Sequence, residues 1–251
     1  MRAVRIWSPT AVSQLRLRTF CVLALAVMGM ASPSAADIIT VPSGLTPGSQ
    51  YRLVFVTVDS YQATSTSIAD YNTDVTNEAN TAAALAALAT TWTVIGSTES
   101  VDAITDIGSD PGVPIYDLLD SLIGNDATAN AGGLFSGSIF SPIDVNELGL
   151  AYAGEAWTGS TSSGLGDPTY YFGAPQVRLG NAGSTDSGWI TLGVAPAPSG
   201  FALYSISGVL TVPAAVPEPR TTLMMALGGA LLIGARRRMI HRKNRATQTL
   251  C

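Results

Sequence analysis

The sequence predicts an α+β fold. It reads as a single exported domain with one N-terminal helix and a loop-rich antiparallel sheet, followed by one C-terminal transmembrane helix. Three observations carry the prediction. Residues 51–58 (Tyr-Arg-Leu-Val-Phe-Val-Thr-Val) place Leu53 and Phe55 on one face of an extended chain and Val54, Val56 and Val58 on the other, the pattern of a central strand. Ile68, Tyr71, Val75, Ala79, Ala82, Leu85 or Ala86, and Ala89 recur at helical spacing. Residues 201–212 alternate as a closing strand, and the 15 residues 221–235 carry no charge. A β-sandwich with one inserted helix is the alternative arrangement of the same elements.

Residues 1–36 have the layout of a secretory signal peptide. Arg2, Arg5, Arg16 and Arg18 make a basic leader, and 20–30 is an apolar run too short to span a membrane. Ser34-Ala35-Ala36 supplies small residues for cleavage between Ala36 and Asp37. No Arg-Arg pair precedes the apolar run, so the general export route is expected. An uncleaved N-terminal anchor is the alternative.

The exported part is then 37–215, and its charge differs from that of the whole chain. The formal net charge of −5 conceals seventeen Asp and Glu against only Arg52 and Arg178 in that stretch, a net −15. Such a surface repels nucleic acid and anionic lipid, so nucleic acid is not an expected partner. Cys21 and Cys251 both lie outside 37–215. The domain therefore has no disulfide, and about 180 residues suffice to bury a core without one.

The elements follow in order. Residues 37–50 open with Ile38-Ile39-Thr40-Val41 and pass through two Pro/Gly turns before the 51–58 strand. A polar loop leads to the helix, expected over 67–89, where Ser67 is placed as the cap with Asp70 three residues on. Asp70, Asp74 and Glu78 lie where carboxylates favour a helix N-terminus, and Asn80-Thr81 can split the helix in two. Residues 90–95 (Thr-Thr-Trp-Thr-Val-Ile) are β-branched and read as a strand ended by Gly96. Asp102, Asp106 and Asp110 recur every four residues and read as one solvated acidic edge. A cation site is the lesser option there, because the spacing matches no complete calcium loop. Residues 113–123 fit either a short helix or a strand. Residues 127–146 and 160–169 are Gly/Ser-rich loops, and 170–172, 176–179 and 187–192 read as short strands.

Chemistry is narrowed by what 37–215 lacks. The one histidine, His241, lies beyond it, and the stretch contains neither Cys nor Lys. That removes the usual imidazole base, the thiol nucleophile and the Schiff-base amine. Gly132-Gly133 and the glycines of 159–166 lack the strand–turn–helix context and the Lys of a phosphate loop. Carboxylate chemistry remains, but among the acids the sequence marks out no pair. The domain is therefore expected to be non-enzymatic and without a cofactor, calcium being the one left open. Trp157, Trp189, Tyr170 and Tyr171 read as core aromatics, with stacking on sugar rings as the alternative.

The C-terminus has three parts. Pro217 and Pro219 in Val216-Pro217-Glu218-Pro219-Arg220 keep the chain extended. The uncharged run 221–235 is roughly 22 Å long as a helix, short of a roughly 30 Å hydrocarbon core. Arg236, Arg237 and Arg238 begin a basic tail, 236–251, that the positive-inside rule places in the cytoplasm. In composition and order, 216–245 resembles the PEP-CTERM sorting signal of Gram-negative bacteria. The resemblance implies a precursor anchored in the inner membrane by its C-terminal helix and processed by exosortase together with the export machinery. It implies delivery to the cell surface or exterior, in association with exopolysaccharide or biofilm matrix. The 51–58 strand, the helix from Ile68, Ala156-Trp157-Thr158-Gly159 and Gly188-Trp189-Ile190 are similar to C-type-lectin-like (endostatin-like) domains. That resemblance implies that the first and last strands pair and that long loops build a ligand surface. The motifs with which true lectins hold calcium and sugar are missing, so no ligand-binding residue carries over. The expected function is that of a non-catalytic secreted or cell-surface protein. The alternatives are a carbohydrate- or calcium-binding module and a carboxylate-based glycosidase.

Overall fold

Residues 37–214 are described by the computed structural model, and the sheet grows outward from their most apolar strand. β1 (Gln50–Val56) buries every residue after Gln50, since both its faces are apolar and both its edges are paired. On one side it runs antiparallel to β8 (Ala202–Ser207), with Val54 opposite Ile206 and Val56 opposite Tyr204. On the other it runs parallel to β3 (Ile115–Tyr116), with Arg52 beside Ile115. β4 (Leu122–Gly124) continues beyond β3, and β5 (Glu155–Trp157), β6 (Gln176–Asn181) and β7 (Gly193–Pro196) continue beyond β8. The order is β4-β3-β1-β8-β5-β6-β7, and β2 (Trp92–Val94) also pairs with the C-terminal half of β8.

The first long strand and the closing strand are thus neighbours. The sheet is mixed, however, and not the expected antiparallel one, because β1–β3 and β5–β8 are parallel pairs. A parallel neighbour requires a crossover of a dozen residues or more. The chain between β1 and β3 supplies one through α1 (Ile68–Thr81), α2 (Ala83–Ala86), β2 and α3 (Ala103–Ile107). The fold class is α+β, mostly sheet, with few and short helices. No helix among the described residues is long and apolar enough to cross a membrane. The expected membrane run, 221–235, lies outside them.

Several elements differ from their sequence readings for local reasons. The helix breaks at Ala82, which is extended at φ −91° and ψ 112°, and resumes for a single turn. Ser67 holds the N-cap position without a side-chain cap bond; Ser65 takes over, its Oγ accepting from Ser67 N at 3.1 Å and donating to Asp70. Residues 113–123 resolve into β3 and β4. Asp117 organises their turn by accepting from Leu119 N at 2.9 Å and Ser121 N at 2.7 Å. Residues 187–192 are not a strand: Ser187–Trp189 is a 3₁₀ turn, fastened by Asp186 accepting from Gly188 N at 2.9 Å. In 170–172 only Phe172 pairs, in an isolated bridge to Thr98.

α1 packs along β2 and completes its outer edge. Asn72 Oδ1 accepts from Val94 N at 2.8 Å, and Thr76 Oγ1 donates to Trp92 O at 3.1 Å. The strand groups that β8 does not pair are therefore satisfied by side chains.

The described residues belong to two compact units. The larger contains Gln50–Leu210 together with the chain up to Ser43, and holds the sheet above. The smaller joins Gly44–Ser49 to the chain from Thr211. Within it Gly48 N donates to Val212 O and Val212 N donates to Ser49 O, each at 2.9 Å, with Gly48 turning at φ +87°.

Candidate functional site

The structure brings two buried carboxyl groups together, those of Glu78 and Glu147. Tyr71, Val75, Glu78 and Ala79 share the buried face of α1, so Glu78 points inward beneath the end of β1. The helix ends at Thr81, which puts Glu78 in its last turn, where the helix dipole disfavours a carboxylate. The expected grouping of Glu78 with Asp70 and Asp74 near the helix N-terminus is corrected accordingly. Glu147 arrives from a tight turn bridged by Val145 and Ala151. Asn146 builds that turn, its Oδ1 accepting from Leu148 N at 3.0 Å and Leu150 N at 2.9 Å, and Gly149 closes it at φ +74°. Val56 N donates to Val145 O at 3.0 Å and ties the turn to β1.

Backbone amides hold the pair. Val58 N donates to Glu147 Oε2 at 3.1 Å, Asp59 N donates to Glu78 Oε1 at 3.2 Å, and the Tyr61 hydroxyl donates to Glu78 Oε2 at 2.7 Å. Glu147 is fully buried and Glu78 is 4% exposed. Burial, followed by the Glu78 carboxylate, pushes the Glu147 carboxyl up to about 7 against the pull of backbone amides. Burial, and then the hydrogen bond and charge of Glu78, push the Tyr61 phenol far above its ordinary value. Chemically this is a closed, buried pair of carboxyl groups. The carboxyl groups of a glycosidase flank an open cleft roughly 5–10 Å apart, whereas these two are buried and held by the amides of adjacent residues, Val58 and Asp59.

Both bases of 37–214 are engaged. Arg52, 2% exposed, donates from Nε to Ser207 O at 2.7 Å, and from Nη1 to Ile107 O at 2.8 Å and Asp110 Oδ2 at 3.1 Å. Arg178 forks onto Asp167 and lays its guanidinium over the Tyr170 ring, 5.1 Å from the centroid. Burial acts to raise the Asp167 carboxyl, but Arg178 and the amides of Thr169 and Tyr170 outweigh it and hold the group below its ordinary value. Each base is thus paired with an acid, and the remaining charged groups of the described residues are acids.

The three aspartates expected to form one acidic edge have separate partners. Asp102 accepts from Gly166 N at 2.6 Å, Asp106 accepts from Asn72 Nδ2 at 3.0 Å, and Asp110 meets Arg52. α3 is only five residues long, so the three never share a helix face. Among the described residues no group of three or more His, Cys, Asp or Glu is placed to hold a metal ion. Trp157 and Trp189 are fully buried. Trp157 Nε1 donates to Tyr61 O at 2.8 Å, and its ring meets Phe201 edge-on at 4.8 Å. Both are core residues, while Tyr170 and Tyr171 are half-buried. Trp189 Nε1, the Tyr204 hydroxyl and Ser205 Oγ are buried without a hydrogen-bond partner. A groove of about 370 Å³ runs between α1 and β2, lined by uncharged polar groups including Thr73, Asn77, Thr91 and Thr93.

Of the residues expected to carry sorting, Asp37 is the first described one and is exposed. Ala36, Val216, Pro217, Glu218, Pro219, Arg236, Arg237 and Arg238 lie outside the described residues. Searches against protein-family models and against curated proteins match nothing to this chain.

Proposed function

We propose that this chain is an exported, non-catalytic cell-surface or matrix protein, sorted through a PEP-CTERM-type signal at 216–245. The observation that carries the reading is the ordered set at the C-terminus: Pro217-Glu218-Pro219, the uncharged run 221–235, then Arg236, Arg237 and Arg238. A signal-peptide-like 1–36 at the other end agrees with it. In this reading the precursor is held in the inner membrane by its C-terminal helix. Exosortase processes it there, and the exported domain reaches the cell surface or the exopolysaccharide matrix. The net charge of −15 over 37–215 suits a solvated extracellular surface. The pairing of β1 with β8 supports the C-type-lectin-like resemblance as the finer description of the fold. The closed Glu78–Glu147 pair lends no support to a glycosidase.

Deleting Pro217, Glu218 and Pro219 tests the assignment. The expected result is an unprocessed precursor accumulating in the membrane fraction; normal processing and release without the box overturns it. The neutral groove between α1 and β2 favours one second reading, a carbohydrate-binding module. Polysaccharide pull-down that fails in a Thr91→Lys/Thr93→Lys variant supports that reading, and pull-down insensitive to the change removes the groove from it.

A further inference from the structure

We infer that Glu147 and Glu78 form a latch closed by one shared proton, and that losing the proton frees the turn bridged by Val145 and Ala151 from the end of β1. The hydrogen-bond inventory requires the proton. Glu147 Oε2 takes Val58 N, and the two oxygens of Glu78 take Asp59 N and the Tyr61 hydroxyl. Glu147 Oε1 is left buried with no donor, while the adjacent amides of Val58 and Asp59 hold its carboxyl and that of Glu78 side by side. Two carboxylates side by side in a water-excluded site disfavour joint ionisation, and a proton held between them supplies the missing donor.

No cation of the domain can take the proton's place. α1 brings Asp70 and Asp74 besides Glu78, the chain after β1 brings Asp59 and Tyr61, and the turn itself brings only Glu147. All of these are acids or a phenol. Arg52 and Arg178 are occupied by Asp110 and Asp167. Burial and Glu78 together hold Glu147 at about 7, above its ordinary 4.5. Between those values the closed form keeps a proton that the opened form would release. Closure is therefore fully favoured below the ordinary value and is lost as pH rises through the higher one.

The turn is the part free to yield. One backbone bond, Val56 N to Val145 O, and one bridge, Val56 to Asn146, tie it to β1, whereas β1 itself is locked between β3 and β8. Its tip exposes Leu148 and Leu150, and Val58 beside it is exposed as well. Ionisation thus releases an apolar-tipped turn and leaves the sheet intact.

Hydrogen exchange of the full chain, resolved by residue at pH 5.5 and pH 8.5 and expressed as protection factors, tests the latch. Val58 and Asp59, whose amides sit on the two carboxylates, are expected to lose about tenfold or more of their protection at the higher pH. Ile206, inside the sheet, is expected to lose none. In Glu147→Gln the amide keeps donating to Glu78 and accepting from Val58, and the protection of both residues becomes independent of pH. Unchanged protection in the native chain, or the same loss in the Gln variant, overturns the inference. Should the variant fail to fold, carboxyl ¹³C titration of the native chain decides. A Glu147 midpoint near 7 supports the latch, and one at the ordinary carboxylate value overturns it.

Discussion

Replacing Arg52 with methionine is the sharpest probe of how the domain is held together. The guanidinium joins three separate pieces: the end of β8 through Ser207 O at 2.7 Å, the last residue of α3 through Ile107 O at 2.8 Å, and Asp110 at 3.1 Å. Burial pulls the pKa of Arg52 down, with the Asp110 charge opposing. Asp110 is 38% exposed, so the ion pair itself contributes little. The weight falls on the two carbonyls. Methionine fills the volume of the aliphatic stem but leaves both without a donor, at about 1–3 kcal/mol for each orphaned acceptor. With the loss of charge-assisted bonding the expected destabilisation is about 3–5 kcal/mol, a large part of the roughly 5–15 kcal/mol that holds a domain folded. Urea unfolding followed by tryptophan fluorescence measures it, and Arg52→Lys should fall between the native chain and Arg52→Met. A loss below about 1 kcal/mol at unchanged denaturant slope would refute the assignment of Arg52 as the clamp.

Further outcomes follow from the same geometry. Native stability gained from the raised Glu147 carboxyl is present below its ordinary value and lost as pH rises through about 7. Glu147→Gln should therefore gain on the native chain by up to about 3 kcal/mol between pH 5 and pH 8.5 in denaturant titrations, and parallel pH profiles would contradict this. Asp167 is shifted the other way, so its contribution is lost as pH falls through the carboxylate range. Asp167→Asn should be less stable at neutral pH and less sensitive to acid; an acid transition identical to the native one counts against it. Tyr204→Phe removes a buried hydroxyl that has no partner, so thermal melts should show a change within about 1 kcal/mol or a gain, and a loss above about 2 kcal/mol would mean that the hydroxyl is satisfied. In Gly180→Ala the new Cβ would collide with the Trp189 carbonyl, a backbone group that cannot swing aside. The expected cost is about 3 kcal/mol by the same melts, and a neutral result would show that the 3₁₀ turn can shift.

The legible parts of the fold were those fixed by local pattern. The two apolar faces of β1 and the alternation of β8 sufficed to identify a central and a closing strand. The parallel pairs were not legible, because β3 reaches β1 through a crossover whose end point depends on long-range packing. Glu78 is within reach of the sequence: it lies three residues after Val75 and seven after Tyr71, on the same apolar stripe. Reading the helix through to Ala89 placed it wrongly among residues that favour the N-terminal dipole. Glu147 had no local signal, since nothing in Asn146-Glu147-Leu148-Gly149-Leu150 favours burying a carboxylate. Its burial is decided by α1, from a distant part of the chain. The aspartate triplet misled for the opposite reason. Its regular spacing suggested a helix face, and the five-residue α3 ends before the third aspartate.

The hydrogen bonds that Asn72 and Thr76 make to β2 have a consequence for how copies of this protein meet one another. An uncovered strand margin is a template on which a second chain can add a strand, and repeated addition builds fibres. At β2 the template is already occupied, by a side-chain carbonyl at Val94 N and a hydroxyl at Trp92 O. α1 acts there as a surrogate strand that cannot itself be extended. At high local concentration the protein is thereby kept from polymerising through this edge, and crowding alone will not convert it into a fibre along β2.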